Sequence, residues 1–421
     1  MGAVGQPVKV TDGKSLVAEL TRIADICHGC RRCFSLCPSF DVLFKGLDAA
    51  DVDGNAEKLP SKVFGDFVDL CYECKLCLPH CPYIPPHRWH VDIPHLVLDA
   101  RQVRRETSGL PLRERMLSNP DRLGRVASPV ASLANIASAL PVARWAMEKA
   151  AGISARKELP RFAGETFSAW FRKRPRPSRR PEPSARVVFY PTCSVEWNRP
   201  EIGKAAVQVL EHSGVEVVVE YPRCCGMPFF DVGDVPAAFE ARTDLVRALL
   251  PWVEKGYTIV TPGPSCSLMI KKEYLWLGGG EGVERVAKAT RDLFEFLMEL
   301  KGKQLLVLDF PHAPKSIAYH LPCHLKVQNI GFKSRDLLAL TGAAVTMIEN
   351  CSGHDGTWAM KAEYFDESMK VGKKLFDGLA AAGAEVVASD CPLAGVQIHQ
   401  GMGVPVLHPA EVLRNAYGIT E

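Results

Sequence analysis

The sequence predicts an α+β chain. A mainly α-helical N-terminal part precedes a duplicated α/β part, with a pseudo-twofold relating its halves. Three observations carry this expectation. Two four-cysteine strings stand before residue 83, "CHGCRRCFSLCP" starting at Cys27 and "CYECKLCLPHCP" starting at Cys71. From residue 186 onward, β-branched apolar runs alternate with amphipathic helical stretches. In that second part cysteines recur at matching places: Cys193 with Cys323, Cys224 with Cys351 and Cys266 with Cys391, at offsets of 130, 127 and 125.

The elements follow in order. Apolar Leu16, Val17, Leu20, Ile23 and Ile26 space a helix over 14–28. The first cysteine string comes next, then an Asp- and Gly-rich loop over about 47–60. A helical run, "SKVFGDFVDLCYECKLC", leads into the second string. Helical segments broken by proline fill 93–170, and a basic, Pro-rich linker, "FRKRPRPSRRPEPSAR", covers 171–186. Strands are then expected at 186–190, 215–220 and 257–262, with helices at 201–214 and 236–254. The series recurs with strands at 316–320, 343–349 and 384–390, helices at 332–341 and 360–382, and a last apolar run at 404–409. The expected domains are 1–110, 111–185, 186–312 and 313–421.

Composition narrows the function classes. Lys and Arg number 51 against 48 Asp and Glu, a net charge of +3, so nothing overall points to nucleic acid. The last dozen linker residues interleave no aromatic side chains, which argues against a nucleic-acid arm there as well. The start of the chain has no apolar run of the signal-peptide kind, and the 15 cysteines cluster at short spacing. Metal binding in a reducing cytoplasm is expected rather than disulfides. "VASPVASLANIASALPVA" (126–143) carries no charge. It reads either as a buried packing helix or as contact with a membrane surface or membrane subunit at the inner face of the cell membrane.

Each N-terminal string is C-x2-C-x2-C-x3-C-P. Three thiolates from one tight turn serve one cubane, and the cysteine before proline serves the other. One [4Fe-4S] cluster is therefore assigned to Cys27, Cys30, Cys33 and Cys81, and a second to Cys71, Cys74, Cys77 and Cys37. Zinc fits such strings poorly, because structural zinc sites pair two short knuckles. His28, His80 and His87 read as incidental polar neighbours. Two clusters held this close form an electron wire and do no bond chemistry on a substrate.

In the α/β part, "PTC", "RCCGMP" and "GPSC" supply Cys193, Cys224, Cys225 and Cys266. All follow expected strand ends, the edge where parallel sheets build sites. Adjacent cysteines suit a cluster of unusual geometry, with Gly226 freeing the backbone around it. The alternative is four buried structural thiols. The second half offers Cys323, Cys351 and Cys391, with His324, His354 and Asp355 near in sequence.

The C…CCG…C pattern in duplicated α/β halves, behind the double four-cysteine string, resembles the CCG-domain (cysteine-rich domain) iron–sulfur family related to heterodisulfide reductase. The resemblance spans nearly the whole chain. It implies a further iron–sulfur cluster at Cys193, Cys224, Cys225 and Cys266, and cytoplasmic electron transfer beside a flavoprotein dehydrogenase and a quinone or disulfide. The family motif ends in C-x2-C, whereas Met269 stands at the third place after Cys266 and Ala394 at the third place after Cys391; Ser352 follows Cys351. These departures put heterodisulfide reduction in doubt. Three readings stay open for the second site: a cluster on Cys323, Cys351 and Cys391 completed by His354, Asp355 or Ser352; a mononuclear metal; or a metal-free remnant.

No flavin or nicotinamide fingerprint is present, and "LGGGEG" (277–282) reads as a helix-ending turn. The expected function is that of an electron-transfer iron–sulfur subunit, with no catalytic residue singled out. The alternatives are a thiol or heterodisulfide reductase acting at the CCG site, and a redox-sensing structural iron–sulfur protein.

Overall fold

The computed structural model describes residues 6–175, 182–354 and 356–420. Asp355 and the middle of the basic linker lie outside the described residues. By its contacts the chain divides into two units. One comprises residues 1–114 and the short segment Phe229–Val235; the other holds 115–228 and 236–421.

The first unit is helical. The helix Gly13–Cys30 starts on Asp12, which closes a capping box with Ser15, and ends where Arg31 turns left-handed at φ 53°. Pro38 opens the helix Pro38–Leu47 directly after Cys37. With Ser61–Leu70 and Ile93–Ser108 these helices bury one apolar cluster, including Ile23, Phe40, Phe44, Leu47, Phe67 and Val97.

The second unit contains two parallel sheets built alike. Strands β1 (Arg186–Phe189), β2 (Glu216–Val219), β3 (Thr258–Thr261) and β4 (Thr290–Asp292) stand in the order β2-β1-β3-β4. Strands β5 (Ser316–His320), β6 (Ala344–Ile348), β7 (Val386–Ser389) and β8 (Val406–Leu407) repeat it as β6-β5-β7-β8. Parallel neighbours need crossover connections, and helices such as Pro200–His212, Val235–Glu254 and Phe365–Ala382 supply them. One apolar cluster runs through both repeats, from Val187 and Phe189 to Ile317 and Leu413. The edge strand β8 falls within the apolar run at 404–409, whereas the three residues of β4 are too few to show a period and apolar patterning does not single them out.

The duplication extends to the caps. Asp292 ends β4 and closes a capping box with Glu295; His408 follows β8 and does the same with Glu411. The stretch 126–143 is not a buried packing helix. Val126, Leu133, Ile136 and Val142 are between 59 % and 78 % exposed. The helices Pro120–Ala127, Ala131–Ala139 and Pro141–Ala151 run through it with one sharp bend of 87°. Among the described residues no single helix is long and apolar enough to cross a membrane.

His408 makes the fold pH-sensitive. Its Nδ1 accepts the N–H of Ala410 and its Nε2 lies 3.0 Å from the carbonyl of Pro262, an arrangement that needs the neutral ring. Burial holds its pKa down at about 4. The unfolded chain protonates this group first as pH falls, so its stabilising contribution is present above about pH 6.5 and is lost progressively down to about pH 4. His408→Asn keeps a capping oxygen and removes the titration. Denaturant midpoints measured from pH 7 to pH 4 should therefore fall more steeply for the wild type than for His408→Asn; parallel profiles would refute the assignment.

Candidate metal centre

In the helical unit the two cysteine strings share one device. Arg31 follows Cys30 and Lys75 follows Cys74, both left-handed, at φ 53° and 58°. Non-glycine residues tolerate that conformation only where the surroundings enforce it, and here it turns the chain between the second and third cysteines of each string. Cys27, Cys30, Cys33, Cys81 and Cys77 line one cavity with Phe40, Phe44 and Tyr83. The electrostatic neighbours are graded. The Cys27 thiol is pushed up by burial and then by Cys33, Cys81 and Cys30. The Cys77 thiol is pushed up by burial, then by Cys71, Cys37 and Cys33. The last cysteine of each string thus keeps company with the other string. Glu73 and Lys75, each 2 % exposed, pair between the cysteines of the second string, and Arg101 donates to the carbonyls of Val68 and Cys71.

In the first repeat, Thr192, left-handed at φ 77°, caps the short helix that starts at Cys193. Cys225 and Cys266 bring their sulfurs to 3.2 Å. Cys193 and Cys224 also share a hydrogen bond; that bond and burial drive the Cys193 thiol well above its usual range. Three consecutive residues are gripped by their backbones. Tyr190 Oη donates to the carbonyl of Arg223, the N–H of Cys224 donates to Asp121 Oδ2 at 2.6 Å, and Tyr274 Oη donates to the carbonyl of Cys225. Burial, then the nearby Cys225, pushes both phenols far up, which keeps them protonated donors. Gly226 (φ 94°) leaves room for the chain to lie against the helix Val235–Glu254, where an added Cβ would come within 3.0 Å of Ala241. Cys266 sits in the first turn of Pro264–Leu268, which runs into a π-turn at Met269–Glu273. Four thiols packed this closely form a donor set suited to a metal cluster.

The second repeat keeps the scaffold and changes the donors. Gly353 (φ 71°) lies against Phe365–Ala382 as Gly226 does against its helix, so Cys351 corresponds to Cys224 and Ser352 to Cys225. The third pair departs from the match of Cys266 with Cys391. Thr258 of β3 corresponds to Val386 of β7 by their common pairing to β1 and β5, an offset of 128. The same offset carries Pro264 onto Pro392, both in the first helical turn, Gly263 onto Cys391 and Cys266 onto Ala394. The missing cysteine of the first repeat's C-x2-C is therefore Gly263, not Met269, and each repeat has lost the opposite half. Matching cysteine to cysteine hid this, because the common landmark is the proline that opens each helix. Cys391 nonetheless stands within electrostatic range of Cys266. The Cys266 thiol is pulled down by its bond with Cys225 and raised by burial and by Cys193, Cys224 and Cys391. His324 joins the repeats, with Nδ1 at 2.8 Å from Ser265 Oγ.

His354 is 5 % exposed, and among the described residues neither ring nitrogen has a hydrogen-bond partner. Burial, then Lys157, holds its pKa far below the usual histidine range.

A model of the cysteine-rich domain (CCG) matches residues 187–271 and again 317–399, and a model of the 4Fe-4S dicluster domain matches 19–82. Lactate utilization protein A of Bacillus pumilus is 30 % identical over 251 residues, 55 % of this chain and 99 % of that protein. The chain belongs to the CCG-domain iron–sulfur family. An anaerobic glycerol-3-phosphate dehydrogenase subunit of Escherichia coli is 28 % identical over 327 residues, 76 % of this chain and 81 % of that one. The duplicated CCG domain accounts for the two like sheets.

Sequence reasoning missed Asp121, Tyr190 and Tyr274. Asp121 lies 103 residues from the N–H it accepts, so no local pattern could reveal it. Tyr190 ends the first apolar run and passes for core.

The packing of the CSG turn is testable. A Cβ at Gly353 would meet Ser368 O at 2.0 Å, whereas one at Gly342, also at positive φ, meets nothing within 4 Å. Gly353→Ala should lower stability beyond the roughly 1–3 kcal/mol of backbone strain alone, and clearly more than Gly342→Ala. Equal denaturant midpoints for the two variants would show that the turn is not packed this way.

Proposed function

We propose that this chain is an electron-transfer iron–sulfur subunit that passes electrons between a partner oxidoreductase and a second redox acceptor. Cys27, Cys30, Cys33 and Cys81 hold one [4Fe-4S] cluster, and Cys71, Cys74, Cys77 and Cys37 a second. Cys193, Cys224, Cys225 and Cys266 hold a third, CCG-type cluster. Bound clusters supply one-electron redox chemistry at thiolate-held iron. The observation that carries the reading is the crossed company of the fourth cysteines, Cys81 with Cys27, Cys33 and Cys30, and Cys37 with Cys71 and Cys77. The chain's own part is to hold the thiols, exclude water from them and fix the peptide groups around them. Tyr190, Asp121 and Tyr274 do the last at the CCG turn.

A partner follows from the relatives. The Escherichia coli protein is named as a dehydrogenase subunit. By analogy this chain assembles with a separate dehydrogenase, a flavoprotein on this reading, since the chain carries no flavin fingerprint of its own. A quinone or a disulfide takes or gives the electrons on the other side. Catalytic disulfide reduction by this chain alone is disfavoured by the split C-x2-C. The second repeat keeps Cys323, Cys351 and Cys391 with His354 three residues after Cys351; its buried imidazole, without a hydrogen-bond partner among the described residues, supports a metal there over an empty remnant.

The test uses anaerobically purified protein. Cys37→Ala and Cys81→Ala should each abolish the EPR signal of a different [4Fe-4S] cluster and leave the other. Loss of the same signal in both variants would overturn the crossed assignment. Cys351→Ala and His354→Ala should lower iron or other metal content without touching those signals; unchanged metal content would leave the second repeat a metal-free remnant.

The exposed apolar surface supports a second reading, peripheral association with a membrane. Leu133, Ile136, Val142 and Trp145 are all at least 59 % exposed on neighbouring turns, with Arg122 and Arg125 exposed on the preceding helix. In co-sedimentation the wild type should bind phosphatidylglycerol vesicles, and Leu133→Asp with Ile136→Asp should lose most of that binding. Equal sedimentation of the two proteins would remove this reading.

A further inference from the structure

Asp121 lies between the two stretches that the family models match, 19–82 and 187–271. It sits in the first turn of the helix Pro120–Ala127, but that helix does not need it: Asn119 Oδ1 accepts the N–H of Arg122 and caps the turn. The carboxylate turns instead toward the first CCG site. Oδ2 accepts the N–H of Cys224 at 2.6 Å, and Oδ1 accepts Trp197 Nε1 at 2.9 Å and Tyr221 Oη at 2.5 Å. One turn on, an added Cβ at Gly124 would stand 2.3 Å from the Trp197 ring. The helix is therefore pressed flush against Trp197, and that contact fixes where Asp121 reaches.

Asp121 is 8 % exposed, and among the described residues no Lys, Arg or His forms an ion pair with it. Arg223 senses its charge but pairs with Asp244 and Glu240 instead. A buried carboxylate without an ion-pair partner is costly and survives only when its donors are well placed. Three neutral donors do that here. Its charge also falls on the thiols: it is among the influences that raise Cys193 and Cys224. A hydrogen bond from the N–H of Cys224 to sulfur would favour the reduced, more negative form of a cluster; Asp121 takes that donor away and adds a negative charge beside the ligands. Both effects act in the same direction.

We propose that Asp121 is a positioning residue of the first CCG site, which fixes the peptide of Cys224 and sets the potential of the cluster held there below the value the four thiolates alone would give. The proposal rests on the reading that Cys193, Cys224, Cys225 and Cys266 hold an iron–sulfur cluster.

The test is an EPR-monitored redox titration of the full-length, anaerobically purified protein. Asp121→Asn is isosteric and removes the charge. At the wild-type midpoint of the CCG cluster, its reduced-to-oxidised ratio should rise at least tenfold, about 59 mV for one electron. The two N-terminal clusters should keep their midpoints, and Asp121→Glu should restore the CCG value in part. An unchanged CCG midpoint in Asp121→Asn, or an equal shift of all three clusters, overturns the proposal. So does selective loss of the CCG cluster's iron in Asp121→Asn, which would make the residue a structural support only. If the wild type carries no iron beyond the two N-terminal clusters, the underlying cluster assignment fails, and that outcome is separate because it appears before any variant is compared.

Discussion

Every cysteine outside the two N-terminal strings follows the carboxyl end of a parallel strand, and the chemistry of the second unit depends on that constraint. Strand order β2-β1-β3-β4 places the ends of β1, β2 and β3 side by side. Cys193, the Cys224–Cys225 pair and Cys266 follow those ends directly. Three loops can then converge without any long loop being ordered, because the sheet has already met the entropy of bringing distant residues together. The second sheet repeats the order and makes the same offer to Cys323, Cys351 and Cys391.

What differs between the repeats is the lining. A C-x2-C on the first turn of a helix presents two thiols on one side of a strand end. The first repeat has Gly263 and Cys266 there, and the second has Cys391 and Ala394. The first keeps two adjacent cysteines at the CCG turn, while the second has Ser352 beside Cys351 and, one residue past Gly353, a His354 with no hydrogen-bond partner among the described residues. The scaffold around the turn was retained even so. Gly353 packs against its helix more tightly than Gly226 does.

Much of this was legible in the residues. Apolar β-branched runs located six of the eight strands, because strands of four or five residues rich in Val, Ile and Thr leave a clear pattern. The cysteine strings announced iron–sulfur chemistry through spacing alone. The edge strand β4, the true register of Cys391 and the grip of Tyr190, Asp121 and Tyr274 were not legible. Each depends on a contact made in three dimensions: pairing to β3, a helix-opening proline as landmark, or a carboxylate reaching over a hundred residues. The buried-helix reading of 126–143 failed for a different reason. Its composition suits a buried helix, but the helices there lie with their apolar side chains outward.

The central claim is that three thiolate sets of this one chain hold iron. Native mass spectrometry of the intact, anaerobically purified protein tests it most directly. The expected mass excess over the polypeptide corresponds to two [4Fe-4S] clusters and a third iron–sulfur cluster, and it should fall by one cluster when Cys224 and Cys225 are both changed to alanine. A mass accounted for by zinc, or by the polypeptide alone under strictly anaerobic handling, would contradict the account.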